Sequence, residues 1–114
     1  MREDSAALKA KADVAARSGE YVEAVRLYYL AAMEYLQSIG ALTAGPARSD
    51  RENLEEIRRR VGPDGLRYQS FSQLVRIFQE KWFGLKQCTK DDTHGAAEYL
   101  SRITAEKRFN NDRG

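Results

Sequence analysis

Apolar residues recur along this chain at intervals of three and four, without the alternation of a strand, and they group into five helical segments separated by glycine-rich junctions. The first segment, about Ser5 to Arg17, is rich in alanine, and Ser18-Gly19 supplies its stop. The second runs from near Glu20 to about Ile39; Glu20 and Glu23 suit the positive end of the helix dipole and Gly40 can close it. Ser49-Asp50-Arg51-Glu52 has the form of a capping box and announces a third helix with Leu54, Ile57 and Val61 on one face, ended by Gly62-Pro63-Asp64-Gly65. A fourth, about Tyr68 to Phe83, spaces Phe71, Leu74, Val75, Phe78 and Trp82 along one side before Gly84. Thr89 predicts the cap of a fifth, with Asp91 and Asp92 in its first turn and Ala96, Tyr99, Leu100 and Ile103 facing inward. The expectation is one all-α domain over residues 1–108, a compact five-helix bundle, with a frayed tail over 109–114.

The second helix has the widest apolar face. Tyr21, Ala24, Val25, Tyr28, Tyr29, Ala31, Ala32, Tyr35, Leu36 and Ile39 cover an arc of roughly 200°, about twice the stripe of a one-sided surface helix. Such a helix has neighbours on two sides. It is expected at the centre, with the first helix antiparallel on one flank and the third to fifth on the other. Tyr28, Leu36, Leu54, Phe71, Leu74, Phe78, Trp82 and Leu100 are the expected core. Leu27 and Leu30 stand out because they fall on the polar side, among Glu23, Arg26, Glu34 and Gln37. They are either ordinary exposed leucines, or part of a strip for a partner or a second copy that also uses Arg26 and Glu34, or residues covered by the first helix or the tail.

Gly19, Tyr21, Ala24, Tyr28 and Ala31 match the spacing of a tetratricopeptide unit, but the pattern does not return about 34 residues on, where position 53 is Asn. A single helical hairpin inside a bundle is the reading that remains. From about Gly19 to Ile103 the chain resembles the helical domain of unknown function 4129, found at the C-terminus of transglutaminase-like and other multi-pass membrane proteins. The resemblance is carried by "GEYVEAVRLYYLAAMEYLQSIGAL" with Arg26, Leu27 and Tyr28, by "SDRENLEEI" with Arg51, Glu52 and Leu54, by "FSQLVRIFQEKWFG", and by the acidic helix start "TKDD". It implies a cytoplasmic domain following a transmembrane segment, and no catalytic residues.

Composition narrows the chemistry. A balance of 19 Lys and Arg against 17 Asp and Glu is spread evenly enough that no segment forms a basic arm. One Cys and one His cannot build a disulfide framework and leave too few soft ligands for structural zinc. Cys88 and His94 would act as nucleophile and base only in mutual contact with a third, orienting group, so a buried thiol and an incidental histidine is the plainer reading. Glu55-Glu56 and Asp91-Asp92 are sequence neighbours, which on a helix point about 100° apart. The first pair is expected to bridge to Arg59 and Arg60, the second to answer the helix dipole. Arg58, Arg59 and Arg60, with Arg48, Arg51 and Arg67 nearby, make the strongest basic cluster, but Asp50, Glu52, Glu55 and Glu56 interleave with them. That argues for a solvated, internally paired face, with anionic headgroups as the alternative and no nucleic-acid partner. The sequence therefore predicts no catalytic, cofactor or metal site. It predicts a protein-interaction module of unidentified partner, tethered to a membrane by a segment outside this chain, with homodimerisation as the alternative role.

Overall fold

A computed structural model describes residues 3–43, 48–84 and 86–105. The boundary at 108 and the tail 109–114 lie outside the described residues. Five helices and no strand are found among those described: α1 (Ser5–Arg17), α2 (Tyr21–Ser38), α3 (Asp50–Val61), α4 (Leu66–Trp82) and α5 (Lys90–Ala105).

The ends of these helices follow from local chemistry. The Asp4 carboxylate accepts from the Ala7 amide and caps α1, a signal not singled out in the sequence. Ser49 and Glu52 exchange the two bonds of a capping box at α3, and Thr89 and Asp92 make the same reciprocal exchange at α5. After α1 the Glu20 amide reaches back to the Ala15 carbonyl and the Gly19 amide to Ala16, while Gly19 takes a φ of +81°. This double bond closes the helix and reverses the chain in a left-handed conformation that a Cβ disfavours. α4 begins two residues before the expected Tyr68, entered from extended backbone at Gly65, where a Cβ would meet the Val61 carbonyl oxygen at 2.9 Å.

α2 occupies the centre and packs against α1, α4 and α5; α3 lies chiefly on α4, not on α2 as expected. Ala12 of α1 and Ala24, Ala31 and Ala32 of α2 are fully buried, and such small side chains let helix axes approach closely. The antiparallel α1–α2 pair is pinned at two points. Ser5 donates to the Ala31 carbonyl at 2.8 Å, and the Tyr28 hydroxyl donates to Asp13. On the other flank Leu36, Ile57, Phe71, Leu74, Leu100 and Ile103 close the core; each such side chain contributes roughly 1.5–3 kcal/mol relative to exposure.

α3 is fastened by a buried carboxylate. The Glu56 side chain, 4% exposed, accepts from the Thr43 amide and hydroxyl and pairs with Arg48 and, at 2.8 Å, with Arg60. Arg60 also donates to the Gly40 carbonyl beyond the end of α2. Burial opposes ionisation of Glu56, yet the Thr43 hydroxyl, Arg48, the Thr43 amide and the charge of Arg60 outweigh it and hold the carboxyl at about 2.

Two pairs of outcomes test this architecture. Gly19→Ala is expected to cost roughly 1–2 kcal/mol by urea denaturation, because it forces a Cβ into the left-handed region. Gly95→Ala, inside α5, should instead stabilise by roughly 0.5–1 kcal/mol, since its Cβ would meet only Ile77 at an ordinary 3.8 Å. For Glu56 the folded value lies below the ordinary 4.5, so its contribution is fully present above about pH 4.5 and is lost as pH falls toward 2. Urea titrations at pH 7 and pH 3 should show Glu56→Gln losing about 3 kcal/mol at pH 7 and much less at pH 3. Parallel losses at both pH values would contradict the clasp.

Candidate functional site

The surface that combines exposed aromatic area with a positioned charge lies where the end of α4 meets α2. Four rings form a ladder leading out of the core. Tyr29 stacks on Phe71 at 6.3 Å and on Phe78 at 4.3 Å, and Phe78 stacks on Trp82 at 5.8 Å. Phe71 is fully buried, whereas Trp82 is 46% exposed and the neighbouring Phe83 68%. Trp82 is thus not the core residue its helical spacing predicts. It is the last residue of α4, one turn beyond Phe78, and only part of its surface finds cover.

The Arg26 guanidinium of α2 lies over the Trp82 ring, 5.9 Å from its centroid. Glu23 fixes it from the preceding turn through two bonds of 2.6 and 2.9 Å. The Glu23 bond, partly opposed by burial, lowers the carboxyl and raises the guanidinium, so both stay charged. Leu30, half-buried against the core, follows one helical turn after Arg26, and the exposed Val22 precedes it by one. Beneath this face the Tyr29 hydroxyl donates to Asp50 of α3, which also accepts from Gln79 of α4 at 2.9 Å. Burial, then the hydrogen bond to Asp50 and its charge, push the Tyr29 phenol well above its ordinary range. It stays a neutral donor that ties three helices under the aromatic ladder.

The strip expected from sequence is only partly assembled. Arg26 belongs to this face, but Leu27 is 8% exposed and unavailable to a partner. It lies in sequence between Ala24 and Ala31, both fully buried, and belongs to the core cluster. Glu34 is half-buried and engaged by contacts of its own. Of the expected core, Tyr28, Leu36, Phe71, Leu74 and Leu100 are buried, while Leu54 and Phe78 are half-buried against the same cluster.

The basic triplet is largely paired. Arg58 meets Glu55 at 3.6 Å, where Arg59 was the expected partner, and Arg60 belongs to the Glu56 clasp. Arg67 leaves the surface cluster altogether. It is 2% exposed, donates to the Ile103 carbonyl at 3.0 Å and to the Tyr35 hydroxyl at 3.1 Å, and lies over the Tyr35 ring. The early start of α4 turns it inward, where it answers a carbonyl in the last turns of α5.

Cys88 packs against the core, and burial together with Asp92 pushes its thiol up in spite of Lys81, away from the thiolate a nucleophile needs. No described hydrogen bond joins it to His94, which lies in a cavity with Arg17 and Tyr21. Asp92 does more than answer the dipole: besides exchanging bonds with Thr89, it bridges to Lys81 at 3.3 Å and ties α5 to α4. Among the described residues no group of carboxylates, His and Cys could hold a metal ion, and no helix is long and apolar enough to cross a membrane. The chain matches no family model, no curated protein and no solved structure.

Proposed function

We propose that this domain is a non-catalytic protein-interaction module that binds a partner protein through Arg26, Leu30, Trp82 and Phe83. The observation that carries the reading is the exposure of Trp82, beneath a guanidinium that Glu23 holds in place, and of Phe83 next to it in sequence. Trp and Arg dominate the few residues that supply most of the energy of protein interfaces, and here both are positioned before a partner arrives, which lowers the entropic cost of binding. The resemblance to domain of unknown function 4129 supports the setting: a cytoplasmic C-terminal domain of a membrane protein, tethered by a segment outside this chain. Self-association through the same face is the second reading, because an exposed aromatic patch can also cover its own copy about a two-fold axis.

Sedimentation velocity over a hundredfold concentration range separates the two: the module sediments as a monomer throughout, whereas the oligomerisation domain shifts to a dimer that Trp82→Ala abolishes. The partner is sought by photo-crosslinking from position 83 in cells of the source organism, then purified. Trp82 is the sole tryptophan, so its emission reports burial directly. Binding should shift that emission to the blue, and Arg26→Ala should weaken affinity about tenfold or more. An identified partner that binds without changing Trp82 emission, and equally to Arg26→Ala, would place the interface elsewhere.

A further inference from the structure

Also near the start of α2, on a different face from Arg26, the turn from α1 and the first turns of α5 border an open cavity of about 370 Å3 lined by Ala16, Arg17, Tyr21, Lys90, Thr93 and His94. Three helices contribute to it: Arg17 ends α1, Tyr21 opens α2, and Lys90, Thr93 and His94 come from α5. No carboxylate lines it. Asp13 is engaged with Tyr28 and Lys9, and Asp92 with Thr89 and Lys81, while the exposed Glu20 and Asp91, sequence neighbours of Tyr21 and Lys90, are not among its lining residues. Arg17 is within electrostatic reach of Asp13, yet neither Arg17, Lys90 nor His94 makes a side-chain ion pair or hydrogen bond among the described residues. The buried Thr93 hydroxyl is satisfied by the Lys90 carbonyl at 2.7 Å.

The start of α5 is not the source of attraction, because Asp91, Asp92 and the Thr89 cap already answer its dipole. What remains is a set of basic side chains from separate helices converging on one concavity, with a phenol beside them. Their mutual repulsion is relieved by an anion with several acceptor oxygens. We propose that this cavity binds a phosphate-bearing small molecule, with Arg17 and Lys90 as its principal contacts and His94 and Tyr21 as further donors. A carboxylate offers two oxygens to this set and a phosphoryl group three, while the volume admits a diphosphate or a sugar phosphate.

Inorganic pyrophosphate is the probe, followed by amide chemical shifts and calorimetry on the intact 114-residue chain at low ionic strength. The expected result is a saturable site whose shifts centre on residues 16–22 and 89–95. Arg17→Ala and Lys90→Ala should each weaken it about tenfold, as loss of one charge-assisted hydrogen bond implies, and Arg59→Ala should leave it unchanged. These side chains are exposed, so the variants should keep the wild-type helical spectrum. Vesicles containing phosphatidic acid form the second arm. Flotation of the wild type but not of the Arg17→Ala/Lys90→Ala double variant would support the site with a lipid as the source of the phosphate. Pyrophosphate shifts spread over all basic surfaces, or affinity unchanged in the double variant, would overturn the proposal.

Discussion

Everything in this fold depends on covering α2 from two sides. Its apolar arc is too wide for one neighbour, and with Ala24, Ala31 and Ala32 at 0% exposure the partner helices must come close. α1 folds back on one flank while α4 and α5 close the other. Burial of tyrosines on such a helix carries a cost, since each hydroxyl needs a partner once water is gone. Tyr28 finds Asp13 on α1 and Tyr29 finds Asp50 on α3, and in each case burial and then the carboxylate push the phenol above its ordinary range. The demands of the apolar face thus fix where the polar residues of the neighbouring helices must stand.

The same helix links core to surface. Tyr29 is the second ring of a ladder whose inner end, Phe71, is wholly buried and whose outer end, Trp82, is nearly half exposed. Arg26, one turn before Tyr29 and Leu30, reaches across to that outer ring. The proposed interaction face is therefore an outgrowth of the core packing, and the rigidity of the core is passed to it through stacked rings. At the same end of α2, on another face, the short turn from α1 brings Arg17 and Tyr21 against the start of α5, so the second proposed site is a by-product of the hairpin geometry.

Periodicity made the number, order and faces of the helices legible, because a three-to-four repeat of apolar residues has few solutions other than a helix that hides one side. The capping signals at Ser49 and Thr89 and the stop at Gly19 were equally local, and they fall where the chain places them. What the sequence could not carry was where a neighbour ends. Trp82 has core spacing but stands at the last position of α4, and Leu27 has surface spacing but is buried in the core cluster. Glu56 makes the expected pair with Arg60, but its burial, like that of Arg67, is not legible for a related reason. Their burial depends on groups distant in sequence, Thr43 and Arg48 for one and Ile103 and Tyr35 for the other, that no local pattern announces.

Native-state hydrogen exchange tests most directly whether α2 is the element on which the rest depends. If it is, amides from about Ala24 to Leu36 exchange only through global unfolding, at the free energy given by denaturant titration, while α3, which rests chiefly on α4 and the Glu56 clasp, opens first at a lower free energy. Protection in α3 equal to or above that in α2, or an opening that releases α2 while α4 and α5 stay closed, would contradict this account.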